Sequence, residues 1–234
     1  MTPSDRARLS PFPVDPEILA RIRPMTAADA PQVAALHRAD MGASLWAQLG
    51  EPFLRAVYVA LIDQPDFLGY VYEQDGRIRG FIAGSSDSPR MLSRALRRRP
   101  VRIALASLRG VLRRPSALRP LLDTLFYFRR TRLPGLEDVR AESMFCSFAP
   151  ELRGKRISGL INKVLFDELA RRGHRWVKIT TDAGNEASAR QLASWGFERV
   201  GAFRFYGKEM VAWRLDLSAC ERVQPPPQTF ESAR

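Results

Sequence analysis

The alternation of apolar and polar positions divides the chain into recognisable elements. The first twenty residues, rich in Pro, Ser and Arg with little periodicity, read as a loosely held arm. RIRPM (21–25) is a short strand candidate. Thr26 is placed to N-cap a helix over 27–39, where Ala30, Val33, Leu36 and His37 share a face. A second helix is predicted from about Leu45 to Ile62, with Phe53, Leu54, Val57, Tyr58 and Leu61 at helical spacing. FLGYVYEQ (67–74) alternates as a strand does, Asp75-Gly76 is a two-residue hairpin signal, and RIRGFIAG (77–84) is the partner strand.

Pro100, Pro115 and Pro120 then punctuate a stretch of short helices with leucines on one side and arginines on the other. AESMFCSFA (141–149) is apolar enough for a central strand. After Pro150 and a basic turn, Ile157, Leu160, Ile161, Val164, Leu165 and Leu169 mark a helix that runs to Gly173. WVKITT (176–181) is a strand, Asn185 to Trp195 a helix stopped by Gly196, and two strands near 197–206 and 208–215 close the domain. The segment from Ser218, with its PPP at 225–227, is predicted to be disordered. A hairpin in the first half and alternating strands and helices in the second predict a mixed sheet with helices on both faces, α/β or α+β by class.

Charge changes this picture at one place. The chain of 234 residues has 37 Lys and Arg against 25 Asp and Glu, a net charge of +12. Thirteen arginines and a single acid, Asp123, lie between Pro89 and Gly135, so the whole excess sits in that segment. The protein reads as a neutral domain over 21–217 carrying a helical basic insertion at 89–135, with an arm before it and a tail from 218. The insertion has four readings: helices packed on the domain with solvated arginines, steering of an acidic substrate, contact with an anionic membrane surface, or contact with nucleic acid. Aromatic residues occur there only at Phe126, Tyr127 and Phe128, so nucleic acid ranks last.

Two cysteines, Cys146 and Cys220, cannot form a disulfide framework, and no apolar run is long enough to span a bilayer. A cytoplasmic location is expected. Walker, dinucleotide and nucleophile-elbow motifs are absent. With only His37 and His174, a metal site has little to rest on. His37 lies in the apolar stripe and reads as a packing residue; His174 is expected at the surface.

What remains is FCSFAPELRGKRISGLINKVLFDELARRG (145–173), a buried strand, a basic turn and an amphipathic helix. Such a turn aims unpaired backbone N–H groups and the positive end of a helix dipole at one point, an arrangement suited to phosphate or pyrophosphate. Arg153, Lys155 and Arg156 add side-chain charge.

Here the sequence resembles the GNAT superfamily of acetyl-CoA-dependent N-acyltransferases, across most of 21–215 apart from the insertion. RGKRIS (153–158) is similar to the R/Q-x-x-G-x-G/A pyrophosphate loop, with Arg156 where glycine is usual and Ser158 where glycine or alanine is usual. NEASARQLASWGF (185–197) is similar to N-x-x-A-x-x-L-Y-x-x-x-G-F, with Ser188 for Ala and Leu192 where a tyrosine often stands. The resemblance implies a GNAT-like, mostly antiparallel sheet whose central strand splays from its neighbour to admit the pantetheine arm. It also implies acetyl-CoA as co-substrate, without a metal. Arg153, Gly154, Lys155, Arg156, Ile157 and Ser158 would hold the pyrophosphate, the backbone of Cys146 and Phe148 the pantetheine, and Asn185 the cofactor-side helix. Glu142, in an E-x-x-F-C segment like that of the histone acetyltransferase branch, would be the general base. Tyr206 or a water would protonate the leaving thiolate. The implied acceptor is a primary amine, first a small molecule such as an amino sugar, with an acidic group included, and second a protein amine. A homodimer is compatible with all of this. The competing class is a non-catalytic binding module on the same fold.

Overall fold

The computed structural model describes residues 14–42, 44–118, 135–152, 154–205 and 207–223, apart from the side chains of Leu45 and Leu92. A seven-stranded open sheet has the order β1 (Ile22–Pro24), β2 (Phe67–Gln74), β3 (Arg77–Ser85), β4 (Ala141–Phe148), β5 (Trp176–Asp182), β7 (Lys208–Asp216) and β6 (Glu198–Phe205). Every neighbouring pair is antiparallel except β4 and β5. The class and sheet type agree with the expectation.

Helices cover both faces. On one, α7 (Ile157–Arg171) and α8 (Glu186–Trp195) bury Ile161, Leu165, Phe166, Leu169 and Trp195 against Ile82, Val177 and Leu215. On the other, α2 (Ala30–Asp40) and α4 (Glu51–Ile62) bury Val33, Leu54 and Tyr58 against Val71, Phe81 and Ala83. Local signals explain the boundaries. Asp75 (φ 53) and Gly76 (φ 69) form the β2–β3 turn in the left-handed geometry that Asp-Gly favours. Asn185 Oδ1 accepts from the Ser188 amide at 3.0 Å to cap α8, and left-handed Gly196 (φ 85) ends it.

Three expectations are corrected. The helix foreseen over 45–62 is two, α3 (Leu45–Gln48) and α4, broken at Gly50 with φ 92. Pro52 has no N–H to continue the α3 ladder, and its ring would meet the carbonyl four residues earlier. At the N-terminus, Asp15 caps α1 (Pro16–Ala20), and Ile18 packs against the core; residues 1–13 lie outside the described ones. At the other end the disorder expected from Ser218 does not begin there. Leu217, Cys220 and Val223 are buried at three-residue spacing, and Lys163 Nζ donates to the Arg222 carbonyl at 2.8 Å.

The insertion is anchored at its base. Asp87 caps α5 (Ser88–Arg98) and accepts from Arg140 at 2.8 Å, and the Ser88 amide donates to the Arg140 carbonyl at 3.2 Å. Met91, Ala95 and Ile103 dock α5 and α6 (Pro100–Arg113) on Phe53, Val57 and Leu61 of α4. Residues 119–134, with Pro120 and the aromatic trio, lie outside the described ones.

Two predictions follow from this packing. A Cβ on Gly110 of α6 would come within 2.4 Å of the Leu49 carbonyl oxygen. Gly110→Ala is therefore expected to cost about 1–3 kcal/mol, read as a lowered midpoint in urea. His37 is fully buried, its Nδ1 2.7 Å from the Tyr58 hydroxyl and Nε2 3.3 Å from Ser44 Oγ. Burial lowers its pKa from 6.5 to about 4, so the folded state holds it neutral. The unfolded chain binds that proton first as pH falls. Stability is expected to be flat between about pH 6.5 and 8 and to drop by about 3 kcal/mol towards pH 4, a slope that His37→Asn largely removes in pH-dependent denaturation.

Candidate active site

The parallel ladder between β4 and β5 has three register pairs, Ala141 with Val177, Glu142 with Lys178 and Ser143 with Ile179. Beyond them the strands part. β5 continues along β7 through Asp182 with Met210, while β4 continues along β3 through Phe148 with Gly80. From Phe145 to Phe148, β4 has a ladder partner on one side only. A bulge marks the point of departure: Phe145 pairs with Ala83 and Ser143 with Gly84, leaving Met144 as the extra residue.

β4 leads into the basic turn and α7. Gly154 has φ 77, and a Cβ there would meet nothing within 4 Å. The Lys155 amide donates to the Leu152 carbonyl at 3.2 Å, and the Leu160 amide to the Arg156 carbonyl at 3.2 Å. Between them the amides of Ile157, Ser158 and Gly159 meet no acceptor among the described residues. Lys155 and Arg156 are exposed beside them, Ile157 is buried beneath, and Ser158 is half-buried. The open edge of β4 thus ends at three donors that have no acceptor among the described residues, backed by a helix dipole and two cations. An extended amide-bearing arm ending in a diphosphate matches this donor set, with the backbone of Cys146 and Phe148 on the arm and the turn on the phosphates. Arg153 belongs to the same turn by sequence but lies outside the described residues, as does Tyr206.

Arg156 occupies the helix N-cap with φ 60. This left-handed backbone is why glycine suits the position, and an L-residue carries a strain of about 1–2 kcal/mol there. Phe148 lays its ring over Gly80, where a Cβ would come within 2.4 Å of it. Cys146 is half-buried, and burial pushes its thiol up to about 12, with the Asp40 charge adding to the shift and the hydrogen bond from Asn162 opposing it. It is a neutral thiol near pH 7, unsuited to nucleophilic attack. Asn185 is spent on its helix cap, and Leu192 is buried in the core beneath α7.

Glu142 opens β4 just below the split. Its Oε2 accepts from Ser88 Oγ at 2.5 Å and lies 3.8 Å from Lys178 Nζ. Both partners are far away in sequence: Lys178 is its register mate on β5, and Ser88 is the first residue of α5, just before the insertion. Asn162, 8% exposed on α7, donates to the Ser158 carbonyl at 2.7 Å and approaches Cys146 Sγ at 3.9 Å, tying the turn to the open strand. Sequence reasoning missed Ser88, Lys178 and Asn162. Only Asn162, a polar residue within the apolar stripe of α7, left a signal. His174 is half-buried rather than at the surface, and its pKa falls below the usual imidazole value through burial, with nearby Arg172 lowering it further. Among the described residues no group of His, Cys, Asp or Glu could hold a metal.

Arg156→Gly is expected to relieve the left-handed strain and raise stability by about 1 kcal/mol in urea denaturation. A lower midpoint would mean that the Arg156 side chain contributes more than its backbone costs.

No protein-family model matches the sequence, and no curated protein is similar enough to match it. Solved structures do match. Over 84% of this chain and 97% of that one, SsHAT superimposes with a TM-score of 0.59 at 15% identity. The ribosomal-protein-S18-alanine N-acetyltransferase of Escherichia coli covers 84% of this chain and 92% of its own, with a TM-score of 0.53 at 13% identity. Ribosomal-protein-alanine N-acetyltransferase of Brucella melitensis covers 83% and 98%, with a TM-score of 0.52 at 17% identity. The split sheet, the basic turn and these superpositions agree: the chain has the N-acetyltransferase fold that its resemblance to the GNAT superfamily implies.

Proposed function

We propose that the protein is an acyl-CoA-dependent N-acyltransferase that moves an acetyl group from acetyl-CoA to a primary amine by direct attack within a ternary complex. The observation that carries the reading is the opening between β4 and β5, which ends at the amides of Ile157, Ser158 and Gly159, without an acceptor among the described residues. The coenzyme supplies an activated thioester. The chain's residues bind it, orient it and manage the protons.

An amine of lysine type has a reference pKa near ~10.4 and arrives protonated, so a base must take its proton before nitrogen can attack. Glu142, held by Ser88 and Lys178 at the vertex of the split, is the acceptor of that proton. The amine nitrogen bonds to the thioester carbon, the carbon–sulfur bond breaks, and the thiolate takes a proton from Tyr206 or water, which is replaced by the second proton that the nitrogen gives up as the amide forms. Leu192, at the position where a tyrosine is common, offers none. The neutral Cys146 thiol favours direct transfer over an acylated cysteine.

On the acceptor side, a cavity of about 320 Å³ lies between α6 and the α2–α4 segment, lined by Arg38, Glu51, Arg113 and Arg114 among others. Trp46 of α3 packs on Phe145 of β4 with ring centroids 4.8 Å apart, which connects this wall to the open strand. None of the three arginines has an acidic partner among the described residues, which favours a small amine that also carries an acidic group.

Calorimetry with acetyl-CoA is expected to give micromolar binding. Gly154→Asp should abolish it, and Gly154→Asn, which tolerates the same left-handed backbone, should weaken it far less. In a thiol-release assay over a panel of amines, Glu142→Gln is expected to lower kcat by about 10²–10⁴-fold with cofactor affinity unchanged. An unchanged kcat would remove Glu142 from this role. Intact binding with no thiol released by any amine would favour the non-catalytic module.

A further inference from the structure

Outside the site, α6 has a solvent face with no counterpart among the described residues. Val101, Leu105, Leu108 and Leu112 are 67%, 52%, 55% and 72% exposed. At 100° per residue they fall within an arc of about 60°, a stripe along a helix about 21 Å long. Ile103 and Gly110, on the opposite side, are buried against the domain, so the stripe faces outward. Leu118, 48% exposed just past the helix, adds a further apolar group.

Along one flank, about 90° around the helix from the stripe, run Arg102, Arg109 and Arg113. All three are exposed and have no acidic partner among the described residues, and only Arg113 borders the acceptor cavity. Arg94 and Arg98 of α5, and Arg99 just after it, differ. Arg94 pairs with Asp66, Arg99 pairs with Asp63, and Arg98 donates to the Asp63 carbonyl. Those charges hold the insertion to the domain; those of α6 remain for something else.

We propose that α6 docks on an anionic lipid bilayer, with its aliphatic stripe in the interface and the arginines of its flank on the lipid phosphates. Charge complementarity selects the occupant. The partner must be anionic beside the arginines and apolar under the leucines at the same time, which a bilayer surface is and a nucleic acid is not. The stripe has no aromatic residue on which a base could stack. The chain's own segment 119–134 carries four arginines and one acid, so it repels rather than complements the flank. This is peripheral attachment: no described helix is long and apolar enough to cross a membrane.

The test is flotation of the full chain with phosphatidylcholine vesicles, with and without phosphatidylserine. Binding is expected to be stronger by about tenfold or more on the anionic vesicles. The double variant Leu105→Asp/Leu108→Asp should lose it while keeping the parent's thermal midpoint and acetyl-CoA affinity. Arg102→Gln/Arg109→Gln should remove the preference for phosphatidylserine. Failure of the parent to float with either vesicle overturns the proposal. So does flotation that the leucine double variant retains, since charge alone would then account for it. A concentration-dependent dimer that the leucine variant abolishes, without vesicle binding, overturns it in favour of a second copy of the chain. RNA binding lost in the arginine variant, again without vesicle binding, overturns it in favour of nucleic acid.

Discussion

The structure depends on a ladder that stops early. Two parallel strands in the middle of a sheet ordinarily satisfy each other's backbone groups along their shared length. Here β4 and β5 do so for three residues and then part, because each is held more extensively by its outer neighbour. The bulge at Met144 redirects β4 at that point, and the amides beyond it need another partner. Everything assigned to the site is arranged around this gap. The basic turn lies at its far end and Glu142 at its vertex, and Asn162 of α7 ties the turn to Cys146 on the open strand.

Much of the frame was legible in the residues because its signals are local. The Asp-Gly turn, the Asn185 cap, the Gly196 stop and the period of α7 each act within a few positions. The site was legible to the same extent: the basic turn and the E-x-x-F-C segment are contiguous in sequence. What escaped depends on distance or competition. The break at Gly50 lay inside an apolar pattern that favoured one long helix, and the missing N–H of Pro52 outweighed it. The segment after Leu217 is polar in composition, yet Cys220 and Val223 keep a spacing that buries both. Ser88 and Lys178 reach Glu142 only through sheet register and the return of the insertion, which no local pattern encodes.

The insertion is built into the domain. Its base is closed by Asp87 and Arg140, its helices share a core with α4, and Ser88, the residue just before it, supplies the hydroxyl that holds Glu142. Its charges divide accordingly. Arginines in and just after α5 are consumed at the junction, while those on the flank of α6 and beside the neighbouring cavity have no acidic partner among the described residues.

The short ladder also determines where the protein is mechanically soft. Strands β1–β4 and β5–β7 are two panels joined by three rungs, so most of their cohesion comes from the side chains under α7, where Ile82 and Ala141 of one panel share a core with Val177 and Leu215 of the other. Such a joint resists sliding, because interdigitated side chains have nowhere to go, but it yields to small changes in the angle between the panels. The width of the cleft is thus an elastic property of one helix and its underside, and a residue exchanged deep beneath α7 can retune the mouth of the site without touching anything that lines it.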